Sequence, residues 1–242
     1  MKKLLLFTLL AGLSPLPFLS PAAAQEPAAK AGDGRSPDEI VQMVMMSRSL
    51  GKENGKDGIT FPGELNRGGK SVPFRIQVLP TLIHFSFDNP KQNINLDTTE
   101  KGYRLREVTA GSNKEVPAAM YSAGVRGTDL TYDDISMRYL YWPKKVNIGE
   151  ESIKTRKCYV VDLYNPQKLG DYYLVRIFVD KESGGLMRMM GFDWNGKLVK
   201  SCSVTAGMKV NGSTVMKTME VIRYVPGTKK VAGETTFELK KP

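Results

Sequence analysis

The stretch GVRGTDLTYDDI, residues 124–135, gathers several side chains that could carry out chemistry. Three aspartates, Asp129, Asp133 and Asp134, lie there beside two threonines and a tyrosine. Clustered carboxylates can act as general acids and bases, hold a metal ion, or cap the N-terminus of a helix. Which of the three applies largely decides whether this protein is an enzyme.

Helix capping explains these aspartates with the fewest assumptions. An EF-hand loop needs glycine at position six and glutamate at position twelve, but counting from Asp129 gives Asp134 and Leu140. A glycosidase pair needs carboxylates about 5–9.5 Å apart across a cleft, which adjacent residues that point apart do not provide. Thr131, by contrast, stands three residues before Asp134, and Asp133 would lie in the first helical turn, near the positive end of the helix dipole. We therefore predict capping.

Few other residues could support catalysis. His84 is the only histidine, and it lies in a strand-like segment without the motif context of a catalytic triad. A zinc site needs several closely spaced ligands, which His84, Cys158 and Cys202 do not supply. Glycine motifs that bind phosphates or dinucleotides are also missing from the sequence. We predict no enzymatic activity, no cofactor and no metal; an enzyme that uses the aspartates on glycan or lipid stays an alternative.

The N-terminal residues 1–24 are typical of a bacterial signal peptide. Lys2 and Lys3 precede an apolar run of about ten residues, shorter than the ~20 residues that span a bilayer. Three alanines stand before Gln25, and no cysteine for a lipid anchor follows them. We predict a periplasmic protein with a flexible leader at residues 25–35, which are rich in Ala, Gly, Pro and charge. Residues 36–242 have a length suited to one all-β domain.

The chain is basic, and its charge bears on the class of partner. The formal charge of +10 falls to +8 once Lys2 and Lys3 are removed. The basic residues are scattered singly and no nucleic-acid-binding module is recognisable, so we predict no nucleic-acid partner. In the periplasm a positive balance fits anionic membrane surfaces or acidic partners, but an ordinary solvated surface is the simpler explanation and the one we favour.

Two helices are indicated by their caps. Ser36, Pro37 and Glu39 form a capping box with proline at the first helical position, before a helix that should end near residues 51–58. A second helix should begin after Thr131 and end at Pro143. Each helix carries apolar residues at helical spacing: Ile40, Met43, Val44 and Leu50 in the first, and Ile135, Met137, Leu140 and Tyr141 in the second.

From residue 58 onward the sequence alternates as strands do. The pairs Asn195-Gly196 and Asn211-Gly212 predict two-residue type I′ hairpins, because both central residues of that turn have positive φ. The resulting fold class is α+β: one large, curved, open antiparallel sheet with helices on one side. Strands are predicted at residues 59–65, 72–80, 81–87, 92–98, 103–108, 157–165, 172–180, 186–194, 197–204, 215–224 and 234–240.

The strand prediction bears on the two cysteines. Three inter-strand steps would separate Cys158 from Cys202, about 14 Å at the usual strand spacing. A disulfide requires Cα atoms within about 7 Å, so a bridge is not favoured, although strong curling of the sheet leaves the question open.

The segment VRGTDLTYDDI resembles the central G-T-D-x-S/T-Y-x-D-L motif of bacterial outer-membrane lipoprotein-sorting proteins of the LolA/LolB-like superfamily. Similar segments at residues 157–166, 172–183, 192–201 and 234–239 extend the likeness over residues 36–239. The resemblance implies a half-barrel sheet with helices covering its concave face around an apolar cavity. We align no residue with the functional arginine of that family. The motif positions, to which we assign a structural role, are Gly127, Thr128, Asp129, Tyr132 and Asp134.

The function that this resemblance implies is lipid transport. Each buried methylene contributes about 0.8 kcal/mol, so a lipid anchor with about 40 of them would cost on the order of 30 kcal/mol to expose. We predict a carrier that shelters acyl chains of lipoproteins or other lipids during transfer toward the outer membrane. Its partners would be lipid-modified proteins or other acylated ligands, with inner- or outer-membrane lipoprotein-transfer proteins as further candidates. A lipid-sensing or envelope-stress module with the same cavity is the alternative.

Alternation also suggests which side chains would contact such a ligand. It does not say which face of the sheet is concave, because both faces alternate in the same way. The expected cavity residues are Ile83, Phe85, Phe87, Tyr159, Val161, Leu163, Tyr173, Val175, Ile177 and Val179, and the expected lid residues are Ile40, Met43, Val44, Ile135 and Leu140.

Overall fold

The computed structural model describes residues 34–47, 58–99 and 102–242. The predicted signal peptide, most of the predicted leader and Leu50 lie outside these ranges. Within them, thirteen strands form one antiparallel sheet, so the predicted fold class is confirmed. The strands are β1 Ile59–Arg67, β2 Lys70–Val78, β3 Leu82–Phe87, β4 Gln92–Thr98, β5 Tyr103–Thr109, β6 Ser112–Glu115, β7 Lys144–Ile153, β8 Arg156–Tyr164, β9 Leu174–Asp180, β10 Leu186–Phe192, β11 Leu198–Val210, β12 Ser213–Tyr224 and β13 Val231–Leu239.

The sheet is open, and its two edges are joined by one long connection. The strand order is β6-β5-β4-β3-β2-β1-β13-β12-β11-β10-β9-β8-β7, so β1 and β13 pair in the middle and join the two halves of the chain. Edge strands β6 and β7 follow one another in sequence but lie at opposite edges. Residues 116–143, which we call the covering segment, therefore run from one edge to the other across the sheet.

Short helical elements cover one face of the sheet, which we call the inner face. The apolar residues of the helices and of the alternating strand positions belong to one buried cluster. No helix in the described ranges is long and apolar enough to cross a membrane. The helices are α1 Pro37–Ser47 and α2 Tyr132–Ser136, and the 3₁₀ turns are Ala118–Met120, Val125–Gly127 and Arg138–Tyr141.

Both helices begin where their caps predict, but the second is shorter than expected. Ser36 and Glu39 exchange capping hydrogen bonds of 2.7 and 3.2 Å, and Thr131 forms a capping box with Asp134. The prediction that the second helix continues to Pro143 is wrong, because Met137 adopts a left-handed conformation (φ 47°) that ends α2. A separate 3₁₀ turn follows.

One of the two Asn-Gly turns is of the predicted type. Asn211 and Gly212 have φ of 48° and 80°, as a type I′ turn requires. At the other turn the prediction is wrong, because only Gly196 has positive φ. The Asp193 carboxylate accepts hydrogen bonds from the Asn195 and Lys197 N–H groups, at 2.9 and 2.8 Å. These bonds stabilise a longer turn in which the Asp193 carbonyl accepts from Gly196 N–H.

The two cysteines are free and lie on opposite faces of the sheet. Cys202 on β11 belongs to the inner buried cluster, whereas Cys158 on β8 belongs to a small outer cluster with Val160 and Phe178. Strands β9 and β10 separate them, which gives the three inter-strand steps expected from the sequence. Strand geometry thus keeps the thiols apart.

Candidate functional site on the inner face

The covering segment is tied to the sheet by two of its three aspartates, Asp129 and Asp134, while Asp133 binds within the segment. Its backbone first folds on itself: the N–H groups of Val125 and Asp133 donate to the carbonyls of Leu130 and Tyr121, at 2.7 and 2.9 Å. The three carboxylates then reach different parts of the molecule. All three aspartates are less than a tenth exposed.

Asp134 combines its capping role with a buried ion pair. Its carboxylate accepts hydrogen bonds from the backbone N–H and the hydroxyl of Thr131, both at 2.8 Å. On the sheet side it accepts from Lys200 Nζ at 2.6 Å and from the Tyr172 hydroxyl at 2.8 Å. Lys200 is 3% exposed although it carries a charge. The pair therefore fixes the start of α2 to strand β11.

Burial keeps the neighbours of this pair protonated. It raises the pKa of Tyr172 well above its usual value, so the phenol remains a neutral donor to Asp134. It likewise raises the pKa of the Cys202 thiol well above its usual value. A thiol held in this state is a poor nucleophile, because the thiolate is the reactive form.

Asp129 connects the segment to the middle of the sheet. Arg67 Nε and Arg223 Nε donate to its carboxylate at 2.7 and 3.0 Å, and the Thr235 hydroxyl donates at 3.1 Å. Gly233 makes room for the carboxylate, since a Cβ there would collide with it. Burial alone would raise the pKa of Asp129, but the bonds from Arg67, Arg223 and Thr235 outweigh burial and lower it. The group is held as a carboxylate.

Asp133 forms a bidentate pair with Arg138, a residue of the same segment. The guanidinium donates to both carboxylate oxygens at 2.6 and 2.9 Å, and to the Leu169 carbonyl at 2.8 Å. Burial raises the pKa of Asp133, and the guanidinium offsets only part of that effect. Burial by itself would lower the pKa of Arg138, but the hydrogen bonds that Arg138 donates to the Asp133 carboxylate, together with its negative charge, outweigh burial and the pKa rises. This pair holds the β8–β9 loop against the segment.

The aspartates therefore form a structural network. The predicted cap from Thr131 to Asp134 is confirmed, and each of the three carboxylates also has a cationic partner. No group of three potential metal ligands occurs in the ranges that the structure covers. His84 has a hydrogen-bonding contact as well, with Nδ1 2.5 Å from Asn95 Oδ1. The network of the three aspartates and their cationic partners can hold the covering segment rigidly in place.

Sequence reasoning missed the partners of the aspartates. A signal existed, because Lys200 and Arg223 occupy strand positions that share a face with the buried residues Cys202 and Val221. A charged residue in an otherwise buried register requires a partner of opposite charge. The partners that the prediction lacked are Arg67, Arg138, Tyr172, Lys200, Arg223 and Thr235.

Most of the expected cavity and lid residues lie in one buried cluster on the inner face. Ile83 and Met43 pack against it while partly exposed. Tyr173 differs: it is 40% exposed and contacts Tyr164 and Trp194 at the end of the sheet. The cluster members are Phe85, Phe87, Tyr159, Val161, Leu163, Val175, Ile177, Val179, Ile40, Val44, Ile135 and Leu140.

Much of the inner face is filled by its own side chains, while others, such as Ile83 and Met219, are only partly buried. Two clefts of about 620 and 260 Å³ lie elsewhere: the first beside the β1–β2 hairpin and β13, and the second between the strands around Pro62 and Pro73. Neither is lined by an expected cavity residue. Large rings such as Tyr139, Tyr159 and Phe61 are 2% exposed or less. An acyl chain could enter only if some of the covering side chains moved.

Solved structures of LolA type resemble this fold. A domain from Vibrio parahaemolyticus, described as an outer membrane lipoprotein-sorting protein, aligns with a TM-score of 0.66 at 13% identity over 85% of this chain and 90% of its own. A LolA superfamily protein from Nitrosomonas europaea aligns at 0.60 and 10%, over 86% and 92%. A DUF1329 family protein from Desulfovibrio piger aligns at 0.60 and 16%, over 85% and 92%. At these identities the likeness concerns the fold.

Sequence comparison identifies the family. No curated protein matches the chain. A model of a family described as an uncharacterised protein matches residues 109–241, which include the whole covering segment and strands β6 to β13. Because this match spans more than half of the chain, the protein belongs to that family, and its fold is that of the LolA superfamily, as the motif around Asp129 indicated.

Proposed function

We propose that the protein is a periplasmic, non-enzymatic carrier that shelters acyl chains of lipoproteins or other lipids on its inner face and transfers them toward the outer membrane. One observation carries the proposal: the inner face carries one large apolar cluster beside the charged network, and part of its cover, helix α1, is held almost entirely by apolar contacts. Residues 36–242 would act as one domain, since the β1–β13 pairing joins both halves of the sheet.

Helix α1 is the part of the cover that a ligand could replace. It buries Ile40, Val41 and Val44 against the sheet, and exposing each would cost about 1.5–3 kcal/mol. An acyl chain of about 15 methylene groups would gain on the order of 12 kcal/mol on burial. A ligand that took the place of α1 would thus offset the lost contacts.

The polar contacts of α1 would add little resistance. Lys145 Nζ lies 2.8 Å from Asp38, whose side chain is 76% exposed, and such a pair contributes at most about 1 kcal/mol. Asn147 donates to the Arg35 carbonyl at 3.1 Å. Both contacts lie at the surface, where water can replace them. Displacement of α1 would then uncover the part of the inner face next to strands β7 and β8, where the expected cavity residues Tyr159 and Val161 lie.

The test is acyl uptake by the mature protein with α1 free or locked. A Cβ at Gly184 (φ 69°) would lie 3.0 Å from Met43 Cβ but also 2.9 Å from the Met43 carbonyl oxygen, so Met43→Cys with Gly184→Cys could form a disulfide once α1 moves slightly away from the β9–β10 turn. We expect the reduced double variant and the wild type to bind a fluorescent fatty acid, and the oxidised variant to lose uptake. Single-cysteine variants are the controls. The native thiols should stay inert, because burial raises the pKa of both.

The outcomes separate the claims. Uptake that persists in the oxidised variant would show that α1 is not the lid. Wild-type protein that neither takes up acyl chains nor co-purifies with them, as judged by mass spectrometry, would refute the carrier function. Recovery of a regulatory membrane protein without any lipoprotein would support the lipid-sensing alternative instead.

A further inference from the structure

Exposed hydrophobic side chains gather at one end of the sheet. In the part of the chain that the structure covers, seven large hydrophobic residues are exposed, and five of them lie in or beside the β8–β9, β10–β11 and β12–β13 connections. These three connections lie at the same end of the sheet, because β8 to β13 are successive antiparallel neighbours and every second connection between such strands lies at the same end. The five residues, which we call the rim patch, are Leu169, Tyr173, Trp194, Val225 and Val231.

Ring contacts make part of the rim patch continuous. Tyr173 lies between Tyr164 and Trp194, with ring centroids 5.9 and 5.6 Å apart. Tyr173 and Trp194 nevertheless remain 40% and 38% exposed. The β12–β13 hairpin lies beside the β10–β11 connection that carries Trp194, since a Cβ at Gly227 would lie 3.7 Å from the Lys197 side chain. The rings therefore present one surface instead of scattered single side chains.

The backbone beneath the patch is fixed. The Leu169 carbonyl accepts hydrogen bonds from Arg138 Nη2 and Asn165 Nδ2, at 2.8 and 3.0 Å. The Gly170 carbonyl accepts from Trp194 Nε1 at 3.1 Å. The loop is thus tied to the Asp133–Arg138 pair of the inner face, yet the Leu169 side chain is 43% exposed. A loop whose backbone is fixed by hydrogen bonds but whose leucine side chain is exposed to water is consistent with a surface that binds a partner.

Positive charge surrounds the patch. Its two nearby aspartates are partly satisfied within the protein: Asp171 accepts from the Ser122 hydroxyl at 2.8 Å, and Asp193 accepts backbone N–H groups of its own turn. The lysines outnumber them. Five exposed lysines lie in or next to the same connections: Lys144, Lys168, Lys197, Lys229 and Lys230.

We propose that the rim patch docks on the surface of an anionic phospholipid bilayer. Tyr and Trp favour the boundary between headgroups and acyl chains, because their rings are apolar and their N–H or O–H groups are polar. The lysines would meet lipid phosphates, and each would strengthen binding about five-fold. Apolar insertion and basic attraction together are what reversible membrane attachment requires. Docking does not depend on lipid being carried, so it goes beyond the proposed function.

Vesicle binding by the mature protein tests this proposal. The chain has two tryptophans, and Trp142 is buried, so Trp142→Phe leaves Trp194 as the reporter. We expect its emission to shift to the blue, and the protein to co-sediment, with vesicles of equal parts phosphatidylethanolamine and phosphatidylglycerol. Phosphatidylcholine vesicles should bind it much more weakly, because they lack net negative charge.

Two matched pairs of variants locate the binding surface. Leu169→Ser with Trp194→Ser should weaken vesicle binding about ten-fold, since two apolar anchors are lost. Met120→Ser changes an equally exposed residue of the covering segment and should leave vesicle binding unchanged. Lys168→Gln with Lys197→Gln should weaken it about 25-fold, since each lysine contributes about five-fold. The same change at the opposite end of the sheet, Lys157→Gln with Lys209→Gln, should have little effect.

Three results would overturn the proposal. Equal losses from both lysine pairs would mean that net charge alone causes binding. Unchanged binding after loss of Leu169 and Trp194 would exclude the patch. If the protein bound peptidoglycan but not vesicles, the rim patch would be a glycan-binding surface instead of a membrane-binding one. Unaltered thermal unfolding of each variant shows that it folds, and acyl uptake measured on the same variants keeps this result separate from the carrier function.

Discussion

Helix α1 and the covering segment both lie on the inner face, but different forces hold them there. Helix α1 contributes three buried aliphatic residues and surface polar contacts. The covering segment adds three buried carboxylates, bound to cations on other elements or within the segment itself. Apolar contacts can be exchanged for a lipid without loss, whereas a buried charge that loses its partner is costly. Under the proposed carrier function, α1 would therefore be the part that yields and the covering segment the part that stays.

The largest expected effect on stability comes from the ion pair at β11. Lys200→Met leaves Asp134 buried without its cation, so we expect the free energy of unfolding to fall by about 3–5 kcal/mol. Lys145→Met removes the exposed pair to Asp38 on α1 and should cost under about 1 kcal/mol. Urea unfolding of the two variants measures both values. Equal losses would contradict the contrast between the two regions.

A smaller loss should follow from crowding the segment against the sheet. Gly233→Ala places a methyl group against the Asp129 carboxylate, so we expect a loss of about 1–3 kcal/mol. Gly102→Ala is the matched control, since no heavy atom lies within 4 Å of the added Cβ. That change should be neutral or slightly stabilising, because it restricts the unfolded chain. Urea unfolding again provides the comparison, and a neutral Gly233→Ala would mean that Asp129 is not closely held.

The most subtle effect is one of pH. Bonds from Arg67, Arg223 and Thr235 hold the pKa of Asp129 below its ordinary value. A carboxyl group with a lowered folded pKa adds stability above its unfolded pKa, about 3.9, and this is lost as pH falls through the folded pKa. Asp129→Asn should therefore be less stable than wild type near neutral pH, and the gap should narrow as the pH falls below the unfolded pKa of about 3.9. A gap that stays constant would show that ionisation of Asp129 does not contribute.

The sequence predicts the interior strands of the sheet better than its edge strand β7. Strands β8 and β9 are buried on both faces over most of their length, so their sequences are nearly continuous apolar runs, and both strands were predicted. Strand β7 was not predicted. It is an edge strand with a bulge between Asn147 and Gly149, and its lysines, asparagine and glutamates hide the alternation. Because β7 pairs with a neighbouring strand on one side only, fewer of its side chains are buried and the apolar pattern in its sequence is weak.

Local features were settled by the sequence alone: the caps of both helices, the type I′ turn at Asn211-Gly212, and the strand character of most of the chain. Each depends on residues a few positions apart. Tertiary structure alone decided the pairing of β1 with β13 and the partners of the aspartates. Arg67 lies 62 positions from Asp129, and Thr235 lies 106 away. Periodicity carries no information over such distances, because strand order, not sequence spacing, brings these charges together.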